Sequence, residues 1–249
     1  MVRRILLVVC GLLGSCVTVL LLMFQVKPVI FLHSDLTFAS PQSSVVQQQE
    51  QDCVKPVSES ISLPYAINGT ALVAEKLISY DGAFLENGSG REVSSVAALL
   101  LRNTSSMGIS QAHIVLEQEE KYLIFKATQI PPGMSLLVLE ENAKWYTREN
   151  ITACYGWINW ESDGWQPEKL LSFEEVDMGS LWVTNISESA LTGIRLYYKT
   201  DYADGLFYLG GITYDIFIDS IGVGERILLK PEHYAGSTSK FLRIQWEEK

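Results

Sequence analysis

An internal repeat constrains the fold of this chain more than any other feature. Leu99-Leu-Leu-Arg-Asn103-Thr-Ser matches Leu181-Trp-Val-Thr-Asn185-Ile-Ser, 82 positions further on. In the same frame Ile109, Ala112, Ile114 and Leu116 fall on Leu191, Ile194, Leu196 and Tyr198. A later block, Ile130-Pro-Pro-Gly133-Met-Ser-Leu-Leu-Val, matches Ile221-Gly-Val-Gly224-Glu-Arg-Ile-Leu-Leu at a spacing of 91. The second copy therefore gains nine residues between the blocks, around 202–211. Three matches in one order define a unit used twice, so the fold must place the same pattern twice.

Each block reads as strand. Ala112, Ile114 and Leu116 alternate with His113 and Val115, and Ile194, Leu196 and Tyr198 alternate with Arg195 and Tyr197. Period-two alternation marks a strand with one face in a core. Leu123, Phe125 and Ala127 continue it, as do Tyr214, Ile216 and Ile218. Asn-Thr-Ser-Ser, Pro-Pro-Gly and Gly-Val-Gly supply turn chemistry between them. Only residues 168–176 are ambiguous with helix. Short strands with regular turns predict an all-β protein of two tandem antiparallel β-sandwich domains, at 57–148 and 149–249.

The alternating strand ending in Asn, the variable hairpin and the Pro/Gly turn before a closing strand resemble bacterial surface modules of the immunoglobulin-like or fibronectin-like type. The resemblance covers about residues 95–140 and 177–246 and rests on short motifs. It implies an adhesive, spacer or assembly role and brings no catalytic residues. The Cys–Trp–Cys signature of antibody domains is absent.

Ahead of the repeat, residues 5–24 form an apolar run. Twenty helical residues span roughly 30 Å, the depth of a bilayer's hydrocarbon core. Arg3 and Arg4 precede the run and only Lys27 follows closely. The positive-inside bias then predicts a single-pass signal-anchor over 1–27, with a cytoplasmic N-terminus and the rest outside the cell membrane. A cleaved signal peptide and a lipoprotein signal ending at Cys16 are the alternatives. The first lacks a small-residue cleavage site after Phe24, and the second lacks a polar tether after Cys16. Residues 28–56 read as a stalk, Gln/Ser-rich over 41–52 but partly apolar over 28–40.

Past Lys27 the chain carries 16 basic and 29 acidic groups, a balance of −13. That charge disfavours nucleic acid and anionic lipid as partners. It leaves an unknown protein or a cell-envelope glycan. Four cysteines occur without a C-x-x-C pair, so neither a zinc site nor a thioredoxin-like motif is expected. Cys53 and Cys154 are a candidate disulfide in an oxidising compartment, with two free thiols as the other possibility.

No catalytic, cofactor or metal site is expected. His33, His113 and His233 lack a nucleophile elbow, and Ser237 and Ser239 near His233 read as loop residues. Asp201, Asp204, Asp215 and Asp219 invite calcium, but Asp204-Gly205 reads better as a hairpin tip. Aromatic residues cluster at Trp145, Tyr146, Tyr155, Trp157, Trp160 and Trp165, and again at Tyr197, Tyr198, Tyr202, Phe207 and Tyr208. Exposed rings anchor proteins and stack on sugars, while inward ones build core. The expected function is a non-enzymatic spacer or protein-interaction module, with Tyr202, Phe207 and Tyr208 of the inserted hairpin as contact residues. The alternative is a glycan-binding module using Trp157, Trp160 and Trp165. Sequons at Asn68, Asn87, Asn103, Asn150 and Asn185 are glycan acceptors in a eukaryotic secretory pathway. The equivalence of Asn103 and Asn185 points instead to a structural turn at those two.

Overall fold

The period-two pattern is realised as strand wherever it occurs. A computed structural model of the protein describes residues 60–247, except 120 and 203–205, and contains no α-helix among them. The signal-anchor, Cys53 and His33 lie outside the described residues. No described helix is long and apolar enough to cross a membrane.

Thirteen strands follow one another among the described residues. They are β1 (Tyr65–Ala66), β2 (Leu72–Phe84), β3 (Arg91–Asn103), β4 (Gly108–Gln118), β5 (Lys121–Ile130), β6 (Ser135–Leu139), β7 (Ala153–Glu161), β8 (Leu171–Asp177), β9 (Ser180–Asn185), β10 (Leu191–Tyr202), β11 (Phe207–Ile221), β12 (Arg226–Leu229) and β13 (Ser239–Glu247). The ambiguous stretch 168–176 divides into a 3-10 turn at Pro167–Lys169 and strand β8.

The sequence repeat is a repeat of pairing. In the first copy β2-β3-β6 and β5-β4-β7 are hydrogen-bonded neighbours; in the second, β8-β9-β12 and β11-β10-β13. Registers also correspond: Leu72 faces Asn103 as Leu171 faces Asn185. Likewise Ile109 faces Ile130 as Leu191 faces Ile221. β7 pairs with β4, so residues 153–161 complete the first set of strands, although the sequence boundary at 148/149 assigned them to the second.

Alternation decides which side chains meet. Leu72, Leu99, Leu101, Leu136 and Val138 from one triplet pack with Ile109, Ile114, Leu116, Leu123 and Phe125 from the other. In the second copy Leu171, Leu181 and Val183 pack with Ile194, Leu196, Ile218, Ile221 and Ile244. Burying each such side chain contributes about 1.5–3 kcal/mol before chain entropy is set against it.

Two of these triplets join into a seven-stranded sheet, β1-β2-β3-β6-β11-β10-β13. The join is a short parallel pairing, Leu136 with Tyr208 and Leu137 with Leu209. All other pairings between described strands are antiparallel. Tyr208 and Leu209 belong to the nine-residue insertion, so that extra hairpin length reaches the first copy. Leu209 enters a third apolar cluster with Tyr80, Phe84, Val96, Ala98, Leu137 and Leu139. The described residues fall within one compact unit.

Candidate functional site

The repeated asparagines are fully buried and close equivalent turns. Asn103 Nδ2 donates to the carbonyls of Met107 (2.7 Å) and Pro131 (3.1 Å). Its Oδ1 accepts from the N–H and hydroxyl of Ser105, at 3.1 and 2.8 Å. Asn185 repeats the pattern with Ser189 O (2.8 Å), Ile221 O (3.0 Å), and the N–H and hydroxyl of Ser187 (2.9 and 2.7 Å). An amide is needed because the site demands donors on one side and an acceptor on the other. These bonds account for both positions as structural turns, without a glycan.

The insertion builds a polar seam between the copies. Glu86 Oε1 accepts from Leu139 N–H of β6 and Gly211 N–H of β11, each at 2.8 Å. Lys199 is 1% exposed and donates from Nζ to the carbonyls of Gly210 (3.2 Å), Gly211 (3.0 Å) and Ile212. Burial raises the Glu86 pKa and lowers that of Lys199, while their mutual attraction opposes both shifts. Gly211 permits the approach, since a Cβ there would lie 1.8 Å from Lys126 O. Thr128 and Thr213 add a hydroxyl pair at 2.8 Å.

The hairpin contact residues divide accordingly. Phe207 packs against the third cluster, and Tyr208 against the first core while lining a cavity of about 430 Å³ with Asp201 and Phe241. The Tyr202 side chain lies outside the described residues. Leu206, beside the tip, is 74% exposed.

The three tryptophans occupy three environments. Trp160 packs on the first core. Trp165 donates to Glu161 O (2.9 Å), lies beneath the Arg243 guanidinium and covers Gly108, where a Cβ would meet its ring at 1.9 Å. Its edge lines a cleft of about 680 Å³ with Trp246, Gln166 and Lys169. Arg243, 3% exposed, also pairs with Glu161 (2.8 Å) and donates to Asp163 O (3.0 Å), fixing the connector against β13. Trp157 points outward from β7, half exposed, with its ring parallel to His113.

Trp157 shares the outer face of the β5-β4-β7 sheet with other rings. Tyr155 and Tyr122 are exposed on it. Register aligns Ile124, Val115 and Tyr155 in one row across the strands, and Lys126, His113 and Trp157 in the next. A third row aligns Thr128, Gln111 and Asn159. Sequence reasoning singled out Trp157 but missed Gln111 and Asn159, whose adjacency follows from pairing register. Tyr155 donates to Glu117 (2.8 Å), which raises the pKa of the phenol.

Cys154 sits in the first core, and burial pushes its thiol up to about 11. His233 stacks on Tyr214 at 4.6 Å, and Asp215 pairs with Arg195 at 3.4 Å. Among the described residues no three His, Cys, Asp or Glu side chains are grouped to hold a metal ion. Comparison with protein-family models and with curated proteins finds no match to this chain.

Proposed function

We propose that the chain is a non-enzymatic, membrane-anchored protein that carries two tandem immunoglobulin-like sandwiches outside the cytoplasm as a spacer and protein-interaction module. The order first-second-fifth against fourth-third-sixth strand, used in both copies, supports the immunoglobulin-like assignment. The seam carries the functional reading. The paired strands β6 and β11, closed by Glu86 and Lys199, hold the two copies in one geometry. A display element needs that rigidity to keep a binding loop at a fixed place, and loops on rigid scaffolds carry recognition. Leu206 at the hairpin tip is the exposed apolar residue best placed to meet a partner.

Two measurements test the proposal. On intact cells, external protease is expected to remove an epitope at the C-terminus and spare one at the N-terminus; protection of the C-terminal epitope refutes display. A photo-crosslinking residue at Leu206 is expected to yield one discrete protein adduct, absent when the same residue replaces Val223. Identical adduct patterns at both positions count against a partner-binding hairpin.

A further inference from the structure

We infer that the outer face of the β5-β4-β7 sheet binds a neutral saccharide chain, with Tyr155 and Trp157 stacking on sugar rings and Gln111 and Asn159 bonding their hydroxyls. This goes beyond the spacer role and concerns a different surface from the hairpin tip.

The rings stand on one face of a three-stranded sheet. Tyr155 and Trp157 are two residues apart on one strand, so their Cα atoms are roughly 7 Å apart, and Tyr122, two strands across and two residues along, stands roughly 12 Å from Tyr155. Tyr155, Trp157 and Tyr122 are 42%, 50% and 54% exposed, and Val115 and Ile124 fill the surface between them. The His113 ring on the neighbouring strand lies parallel to the Trp157 indole, with 4° between the planes and 6.0 Å between the centroids, and restricts its rotation. A platform of this extent matches two or three sugar rings in a row.

Charge selects the occupant. The ionised groups nearest the rings are already engaged: Lys126 with Glu141 at 2.5 Å, Lys121 with Glu149 at 2.9 Å, and Glu117 with the Tyr155 hydroxyl. The row beside the indole holds an exposed amide on each of two strands, Gln111 and Asn159, while the Thr128 hydroxyl on the third is engaged in the seam with Thr213 and Gly211. Uncharged donors and acceptors next to apolar planes complement a ligand with hydroxyl edges and C–H faces. The chain's net charge of −10 further turns away anionic ligands. A protein partner, by contrast, commonly brings charge to the rim of its interface, where this face has little unpaired charge to offer.

The test uses the full chain in lipid nanodiscs, because sugar-headed detergents would compete. Cellohexaose, chitohexaose and mannohexaose are titrated by calorimetry, with dextran sulfate as the anionic comparison. At least one neutral hexamer is expected to bind, with affinity unchanged between low and high salt. Trp157→Ala and Tyr155→Ala are each expected to weaken it about tenfold, while Tyr155→Phe, which keeps the ring, retains it. The paired change Gln111→Ala with Asn159→Ala weakens binding similarly. Trp145→Ala removes a ring 77% exposed elsewhere and leaves binding unchanged. Thermal unfolding of each variant close to that of the parent separates lost contact from lost fold. The inference is overturned if no neutral hexamer binds, if the alanine changes leave affinity intact, or if dextran sulfate binds more tightly. A protein captured from cell surfaces in a Trp157-dependent manner, with every hexamer inert, would reassign the face to protein docking.

Discussion

Replacing Asn103 and Asn185 by alanine tests whether the repeat is structural at its most buried polar position. At Asn103 the change removes four hydrogen bonds of ordinary length, from Nδ2 to Met107 O and Pro131 O and to Oδ1 from the Ser105 N–H and hydroxyl, together with a longer one from Nδ2 to Ile130 O at 3.4 Å. The hydroxyl keeps a second partner, since Ser105 Oγ also donates to Met107 O at 2.7 Å. Three bonds of ordinary length are thus lost without replacement, at about 1 kcal/mol net each, so the loss is about 3 kcal/mol. At Asn185 four bonds are again removed, and Ser187 Oγ again keeps Ser189 O at 2.9 Å. The same loss of about 3 kcal/mol is expected there. Equilibrium urea unfolding, followed by tryptophan fluorescence, reads both values from the midpoint at constant slope. Losses below about 1 kcal/mol at both sites would refute the assignment of these amides as turn locks. A large loss at one site alone would refute their equivalence.

Other consequences follow from the seam and the second core. Gly211→Ala forces a Cβ against Lys126 O and the Glu86 carboxylate, and is expected to cost about 1–3 kcal/mol. Its urea midpoint falls, and protease gains access to residues 162–166; an unchanged midpoint would refute the close contact. Burial raises the pKa of Tyr198, Tyr208, Tyr214 and Tyr234. The folded phenols hold protons that an unfolded chain releases near pH 10, so this stability is complete below that range and is lost as pH rises through the folded values. Urea midpoints are expected to fall above pH 10, with a shallower fall in Tyr198→Phe; identical slopes in the two chains would refute that contribution.

The all-β class and the strand equivalences were legible because alternation is local: Ile114 and Leu196 announce their inward faces within a few residues. Pairing is not local. β7 carries the same aromatic alternation whichever strand it joins, and nothing in Ala153–Glu161 specifies β4 as its neighbour. The seam was hidden for a related reason. Lys199 follows Tyr198 at a bulge in the β10-β11 register, and only the approach of Gly210, Gly211 and Ile212 makes a buried ammonium tenable. Glu86 sits beside Asn87-Gly88, which reads as an ordinary exposed turn. The inserted hairpin stood out by length, but its role in joining the copies depends on Tyr208 and Leu209 meeting Leu136 and Leu137. The row of Thr128, Gln111 and Asn159 becomes adjacent only through three-strand register.

The short parallel join limits how far the two copies can be separated. A duplicated cassette is ordinarily free to be shuffled, lost or multiplied, because each unit covers its own apolar surface. Here the graft of nine residues places Leu209 of the second unit among Leu137, Leu139 and Phe84 of the first. Excising either one would strip that surface from its neighbour. The pair holds together as one piece, and either copy produced alone is expected to expose this apolar surface and to unfold at lower urea than the intact protein.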